Sequence, residues 1–167
     1  FSILQIYKID KYHFLKLFQM KRYFLTIALF VLQITFGQSA TTTYYFIRHG
    51  EKVDNSKNPD LSKIGFERAK IWEELFSEIK LDAIYSTDYN RTLQTVTPTA
   101  NEQQIIITKY DPKTIDIESF KNKNLRKKVL IVGHSNTIPK FVNQMINQNA
   151  YAEIDDLIFG NLYIVTI

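Results

Sequence analysis

Between Thr42 and Ile167, short apolar runs alternate with stretches whose apolar residues recur at three- and four-residue steps. Runs rich in aromatic and β-branched residues read as strands: Thr42–Ile47 (TTYYFI), Ala83–Ser86 (AIYS), Gln104–Thr108 (QIIIT), Lys128–Gly133 (KVLIVG) and Leu162–Ile167. KVLIVG is nearly continuous in apolar residues, as expected for a strand covered on both faces. Ser62 is placed to cap a helix over Lys63–Ile79, with Phe66, Ala69, Ile71, Trp72, Leu75, Phe76 and Ile79 as its apolar positions. Thr87 or Asp88 can cap a second helix running to about Thr97, where Pro98 disturbs its end. A weaker helix is predicted over Ile115–Lys123, and a further one, with Pro139 in its first turn, to about Asn147. The polar segment Lys52–Asp60, containing Pro59, reads as a loop.

Strands alternating with helices predict an α/β fold, three-layered α/β/α with a mostly parallel central sheet. Ligands of such sheets bind beyond the carboxyl ends of the strands. Three segments rich in reactive side chains fall at such ends: Arg48-His49-Gly50-Glu51, Ser86 to Arg91, and Gly133-His134-Ser135.

The N-terminal part has a different pattern. Met20-Lys21-Arg22 precedes the apolar run Tyr23–Phe36, and Gly37, Gln38, Ser39 and Ala40 follow it. A charged start, an apolar stretch and a small-residue boundary make a secretory signal peptide over 20–37, with cleavage after Gly37. A run of this length is shorter than the roughly 20 residues of a spanning helix. The expected location is therefore exported, periplasmic or secreted, with no membrane attachment once the leader is cleaved. Residues 1–19 lie upstream of Met20 and are read as a segment preceding the true start. The expected folded domain is 38–167.

Composition narrows the function classes. Hydrophobic residues make up 45% and charged residues 23%, which excludes a chain disordered throughout. The formal charge is +4, but Lys8, Lys11, Lys16, Lys21 and Arg22 against Asp10 account for all of it within residues 1–37. The domain that follows is balanced, so no electrostatic footprint for nucleic acid is present and no nucleic-acid partner is expected. Arg126-Lys127-Lys128 reads as a solvated cluster. Cysteine is absent, which removes disulfides, thiolate metal sites and thiol nucleophiles.

Taken singly, His49, His134, Arg48 and Arg91 each have an ordinary structural reading. Together at strand ends they compose a pocket for a phosphoryl group. Arginine's planar fork matches phosphate oxygens in pairs, and a histidine can attack phosphorus covalently. Ser135 sits in Gly-His-Ser-Asn-Thr, which lacks the second glycine of a nucleophile elbow, so Ser135 and Asn136 read as caps of the next helix. Tyr44, Tyr45 and Trp72 read as core.

The run Arg48-His49-Gly50-Glu51 after a strand, the segment YSTDYNRTLQT (Tyr85–Thr95) and VGHSNTIP (Val132–Pro139) resemble, in order and spacing, the motifs of the histidine phosphatase (phosphoglycerate mutase-like) superfamily. The likeness extends over roughly Tyr44 to Ile167 and looks most like a group of small exported members. It implies a phosphoglycerate mutase-like fold and a phosphatase in which His49 becomes transiently phosphorylated. Arg48, Arg91 and His134 would hold the phosphoryl oxygens, with Ser135 beside them. It implies no metal or organic cofactor, and a small phosphorylated substrate as partner. The proton donor to the leaving group has four candidates, Glu51, Asp111, Glu102 and Glu118; Glu51 is preferred because it shares the His49 loop, and Asp111 comes second. Two other readings stay open: a phosphate- or sugar-phosphate-binding module without turnover, and a phosphohistidine-protein phosphatase.

Overall fold

The computed structural model describes residues 16, 19–24 and 41–167. The chain divides into two units, 1–39 and 40–167; in the first, residues 16 and 19–24 are helical. Past residue 24, the expected leader and its cleavage point after Gly37 lie outside the described residues, as does most of the upstream segment 1–19. Among the described residues no helix is long and apolar enough to cross a membrane.

The second unit runs β1 (Thr43–Arg48), α1 (Lys63–Ser77), β2 (Ala83–Ser86), α2 (Asn90–Glu102), β3 (Ile107–Lys109), α3 (Ile117–Lys123), β4 (Lys128–Gly133), α4 (Thr137–Ile146) and β5 (Leu162–Thr166). The sheet order is β3-β2-β4-β1-β5. Every pair is parallel except β1 with β5, which is antiparallel at the edge. This is the α/β architecture expected from the alternation of patterns.

Alternating strand residues divide the core between the two faces. Tyr44, Phe46, Val129 and Ile131 meet Phe120 of α3 and Phe141 and Met145 of α4 on one side. Tyr45, Ile47, Leu130 and Val132 meet Trp72 and Phe76 of α1 and Val96 of α2 on the other. The continuous apolar run of β4 thus reflects burial on both faces.

Within the helices and strands, local expectations differ from the structure at the face of α1, the end of α2 and the extent of β3. The buried side of α1 is Gly65, Ala69, Trp72 and Phe76, whereas Phe66, Ile71 and Leu75, expected inside, are exposed. A single stripe at steps of four, three and four faces the sheet, and the glycine lets the helix start approach the backbone. α2 continues through Pro98 to Glu102, because Val96, Thr99 and Ala100 on either side of the proline are buried. Burial of that face outweighs the missing N–H. In consequence the strand expected at Gln104–Thr108 is shortened to β3, and Gln104 takes a left-handed turn at φ 57 where the helix ends.

Two glycines set the approach of the β1–α1 loop to α1. A Cβ on Gly50 would lie 2.9 Å from the Gly65 carbonyl oxygen, and one on Gly65 would press against the Glu51 carbonyl oxygen. Neither neighbour is a movable side-chain end. Gly65→Ala is expected to cost about 2 to 3 kcal/mol by chemical denaturation, the upper part of the usual range for overpacking. Gly160→Ala, whose new methyl meets only Arg68 Nη1 at 3.6 Å, is the control and should stay within about 0.5 kcal/mol of the parent.

Candidate active site

Strand register brings the two histidines together. Arg48 pairs with Gly133 across β1 and β4, and the His49 N–H donates to the Gly133 carbonyl at 3.0 Å. Each strand then ends, and the next residue of each is a histidine. Their ring centroids are 5.4 Å apart, with ring planes at 65°. β2 lies on the other side of β4, so Thr87 emerges beside His134, its N–H reaching the Val132 carbonyl at 3.3 Å. Arg91 comes from the first turn of α2. Arg48, His49, Arg91, His134 and Ser135 all line one cavity of about 960 Å³, together with Thr87, Tyr89 and Asp111.

His49 is 4% exposed, and its Nδ1 lies 2.7 Å from the Gly50 carbonyl oxygen. A carbonyl only accepts, so Nδ1 carries the proton and Nε2 keeps its lone pair. Burial, helped by the positive groups nearby, pushes the imidazole pKa down to about 3. The ring is therefore neutral at any ordinary pH, the form a nucleophile requires. His134 is held down to about 4 by burial and then by Arg91 and Arg48.

Arg48, 3% exposed, is gripped by the segment before β5. Its Nη1 donates to the carbonyls of Asp155 and Ile158, each at 2.8 Å. Phe159 stacks on the guanidinium at 4.2 Å. The contact of Nη2 with Asp156, at 3.3 Å to a 91%-exposed carboxylate, adds little. What remains is the edge carrying Nε, which is buried without a partner. Arg91 repeats this arrangement, with Nη2 3.4 Å from His134 Nδ1, the guanidinium 4.5 Å over the Tyr89 ring, and a buried, unpaired Nε. A buried donor without an acceptor costs roughly 1–3 kcal/mol. Both arginines line the same cavity.

The loop and helix around the site are tied to each other. The Gly50 N–H donates to Thr95 Oγ1 at 2.9 Å, and that hydroxyl donates to the Arg91 carbonyl at 2.6 Å. The first turn of α2 is capped not by the expected Thr87 or Asp88 but by Asn58 of the β1–α1 loop, whose Oδ1 accepts from the Asn90 N–H at 2.8 Å. Nor do the Ser135 and Asn136 side chains cap α4; Thr137 Oγ1 instead accepts from the His134 N–H at 3.0 Å.

Glu51, preferred as proton donor from its place in the loop, is not brought into the cavity. It is paired through both oxygens with Arg68, including Nε to Oε2 at 2.8 Å. The guanidinium holds its carboxyl below the usual range, so it stays ionised, with no proton to give. It lines a neighbouring depression with Val53 and Leu157 instead. Glu118, paired with Lys121, and Glu102, at the end of α2, are not among the lining residues either. Of the four carboxyl candidates only Asp111 lines the cavity. Sequence reasoning missed Phe159 and the carbonyls of Asp155 and Ile158, since backbone acceptors leave no signature in side-chain type. Thr87 and Tyr89 fall within a segment rich in reactive side chains, where the sequence offers Thr87 only as a helix cap and gives Tyr89 no role. Among the described residues no group of three or more His, Cys, Asp or Glu side chains is arranged to hold a metal ion.

A family model described as the histidine phosphatase superfamily, branch 1, matches residues 44–118. That stretch contains Arg48, His49 and Arg91, and the sheet register supplies His134. Over that stretch the chain is similar to the histidine phosphatase superfamily. Solved structures agree in fold. A protein from Agrobacterium tumefaciens assigned as the phosphohistidine phosphatase SixA is 23% identical, over 63% of this chain and 77% of its own, with a TM-score of 0.52. A mycobacterial glucosyl-3-phosphoglycerate phosphatase is 12% identical, over 75% and 90%, with a TM-score of 0.58. The phosphoserine phosphatase of Entamoeba histolytica, solved with 3-phosphoglyceric acid, is 17% identical, over 75% and 89%, with a TM-score of 0.56. No curated protein sequence matches the chain.

The neutral buried histidines bear on stability. Unfolded histidines protonate near 6.5, whereas His49 and His134 in the fold do so only near about 3 and 4. Between these limits the unfolded chain binds more protons, so stability falls as pH drops from about 6.5 towards 4. Thermal melts should show Tm falling between about pH 7.5 and 4.5. In His134→Asn the fall should be smaller by about 3 °C or more. An identical fall in the variant would contradict the assigned burial of a neutral ring.

Proposed function

We propose that this protein is a phosphatase that hydrolyses phosphomonoesters through a phosphohistidine at His49. The observation carrying this reading is the 2.7 Å contact of His49 Nδ1 with the Gly50 carbonyl, which leaves Nε2 unprotonated in a cavity lined by two arginines with unpaired Nε–H groups. The free edges of Arg48 and Arg91 and the His134 ring hold the phosphoryl oxygens and offset the charge of the transition state. The Nε2 lone pair attacks phosphorus in line, an N–P bond forms, and the P–O ester bond breaks. The leaving oxygen takes a proton from the Asp111 carboxyl. Water, giving a proton back to that carboxylate, then attacks phosphorus; the new P–O bond displaces His49 and releases inorganic phosphate.

The cavity is wide compared with a phosphoryl group, which suits small phosphorylated substrates of varied shape. Export to the periplasm or outside the cell is part of the same proposal. It is supported by Met20-Lys21-Arg22 and the apolar run behind it.

Hydrolysis of an aryl phosphate should fall at least about 1000-fold in His49→Ala, and rapid acid-free quenching of the parent should trap a phosphoryl group on His49. Activity surviving in that variant, or an adduct on another residue, would overturn the mechanism; tight phosphate binding with no turnover in the parent would favour a binding module.

Proton donation is separable by leaving group. Asp111→Asn should lose about 100-fold or more on an alkyl phosphate and far less on an aryl phosphate, whose leaving group needs little protonation. Glu51→Gln should stay within about fivefold of the parent on both. The reverse pattern would return the role to Glu51.

A further inference from the structure

His134 sits at the head of a short chain of buried hydroxyls. Its Nε2 lies 3.0 Å from Thr87 Oγ1, which lies 3.0 Å from Thr92 Oγ1. Thr92 Oγ1 in turn faces the carbonyls of Thr87 at 2.8 Å and Tyr89 at 2.9 Å. Thr87 is 1% exposed and Thr92 fully buried, so water does not relieve a mismatch.

The chain has one consistent order of protons. Carbonyl oxygens only accept, and a hydroxyl has one hydrogen. The Thr92 hydrogen is therefore committed to the two carbonyls, and Thr92 Oγ1 can only accept from Thr87. The Thr87 hydrogen is then spent on Thr92, so Thr87 Oγ1 can only accept from the imidazole. Nε2 must carry the proton. At the other nitrogen the order agrees: arginine only donates, and Arg91 Nη2 lies 3.4 Å from Nδ1, which accepts.

We propose that Thr87, backed by Thr92, is a positioning residue that fixes His134 as the Nε2–H tautomer and turns its Nδ1 edge, beside Arg91, towards the phosphoryl site. This deepens the phosphatase reading and rests on it for its catalytic consequence, though the tautomer itself does not. With Nε2–H held by Thr87, the ring cannot meet a phosphoryl oxygen by moving its proton from one nitrogen to the other. It donates at Nδ1 only by taking up a second proton, and then bonds Thr87 and the phosphoryl group at once. Burial first, and then the charges of Arg91 and Arg48, oppose this uptake in the empty site, where the neutral His49 ring lies 5.4 Å away and Tyr89 is edge-on at 5.0 Å. A phosphoryl dianion reverses that balance. The hydroxyl chain thus makes His134 a conditional donor, activated by its ligand.

Long-range proton–nitrogen correlation spectra of the free protein near pH 7 test this directly. His134 in the parent is expected to carry its proton on Nε2, and saturating inorganic phosphate should bring the ring towards the doubly protonated form. Thr87→Val, nearly isosteric but without the acceptor, should shift His134 to a tautomer mixture or to Nδ1–H. Its kcat/KM should fall about 10- to 100-fold, mainly through KM, while His49 is still phosphorylated. Thr87→Ser should restore the tautomer and bring kcat/KM within about threefold of the parent. An Nδ1–H tautomer in the parent, or an unchanged tautomer and KM in Thr87→Val, would overturn the proposal. The parent spectrum stands even where a variant fails to fold. An Nε2–H ring in a protein without phosphatase activity would sink the enzymatic reading alone.

Discussion

The parallel pairing of β1 with β4, in the register that sets Arg48 opposite Gly133, is the constraint on which the rest of the site depends. Residues far apart in sequence become neighbours only because both strands stop at the same level. A slip of one position would turn every side chain of β1 to the opposite face and carry Tyr45 and Ile47 out of their half of the core. The two packed faces therefore lock the register, and the register sets the separation of the histidines. The site inherits its precision from hydrophobic burial some distance below it.

Around that frame the protein sets two guanidiniums beside two neutral imidazoles, in a cavity that Asp88, Asp111, Glu153, Asp155 and Asp156 also line. Arg48 is anchored through backbone carbonyls and an aromatic face, and Arg91 through Tyr89 and His134. None of these partners cancels a full charge. Glu51, two residues after His49, is diverted to Arg68, which keeps this one carboxylate out of the cavity and ties the loop to α1. The imidazoles respond by remaining neutral. Unpaired donors held in a fixed geometry need no reorganisation when charge develops on the transferring group.

The differences between expectation and structure have a common cause. Local propensity placed a helix end at Pro98, caps at Thr87, Ser135 and Asn136, and Phe66, Ile71 and Leu75 inside α1. In most cases a tertiary contact prevailed: the buried face of α2 beyond the proline, Asn58 reaching across to Asn90, and Gly65 bringing α1 down on the Glu51 backbone; at α4 it was a local bond, Thr137 serving His134. Glu51 is the instructive error. Its nearness to His49 along the chain was a fair guide to position but not to direction, since successive side chains leaving a strand diverge.

By itself the sequence determined the α/β alternation, the doubly buried character of Lys128–Gly133 and the membership of His49, His134, Arg48 and Arg91 in one chemical set. Those are properties of residue type and period, and both are written along the chain. Tertiary structure alone decided which nitrogen of each imidazole carries the proton, which arginine edges stay free, and that the preferred carboxyl faces away. These depend on individual hydrogen bonds to carbonyls and hydroxyls brought in from elsewhere in the fold: Gly50 for His49, Thr87 and Thr92 for His134, Asp155 and Ile158 for Arg48. A backbone carbonyl is present at every position, so no pattern of side chains announces the one that folding will bring within reach.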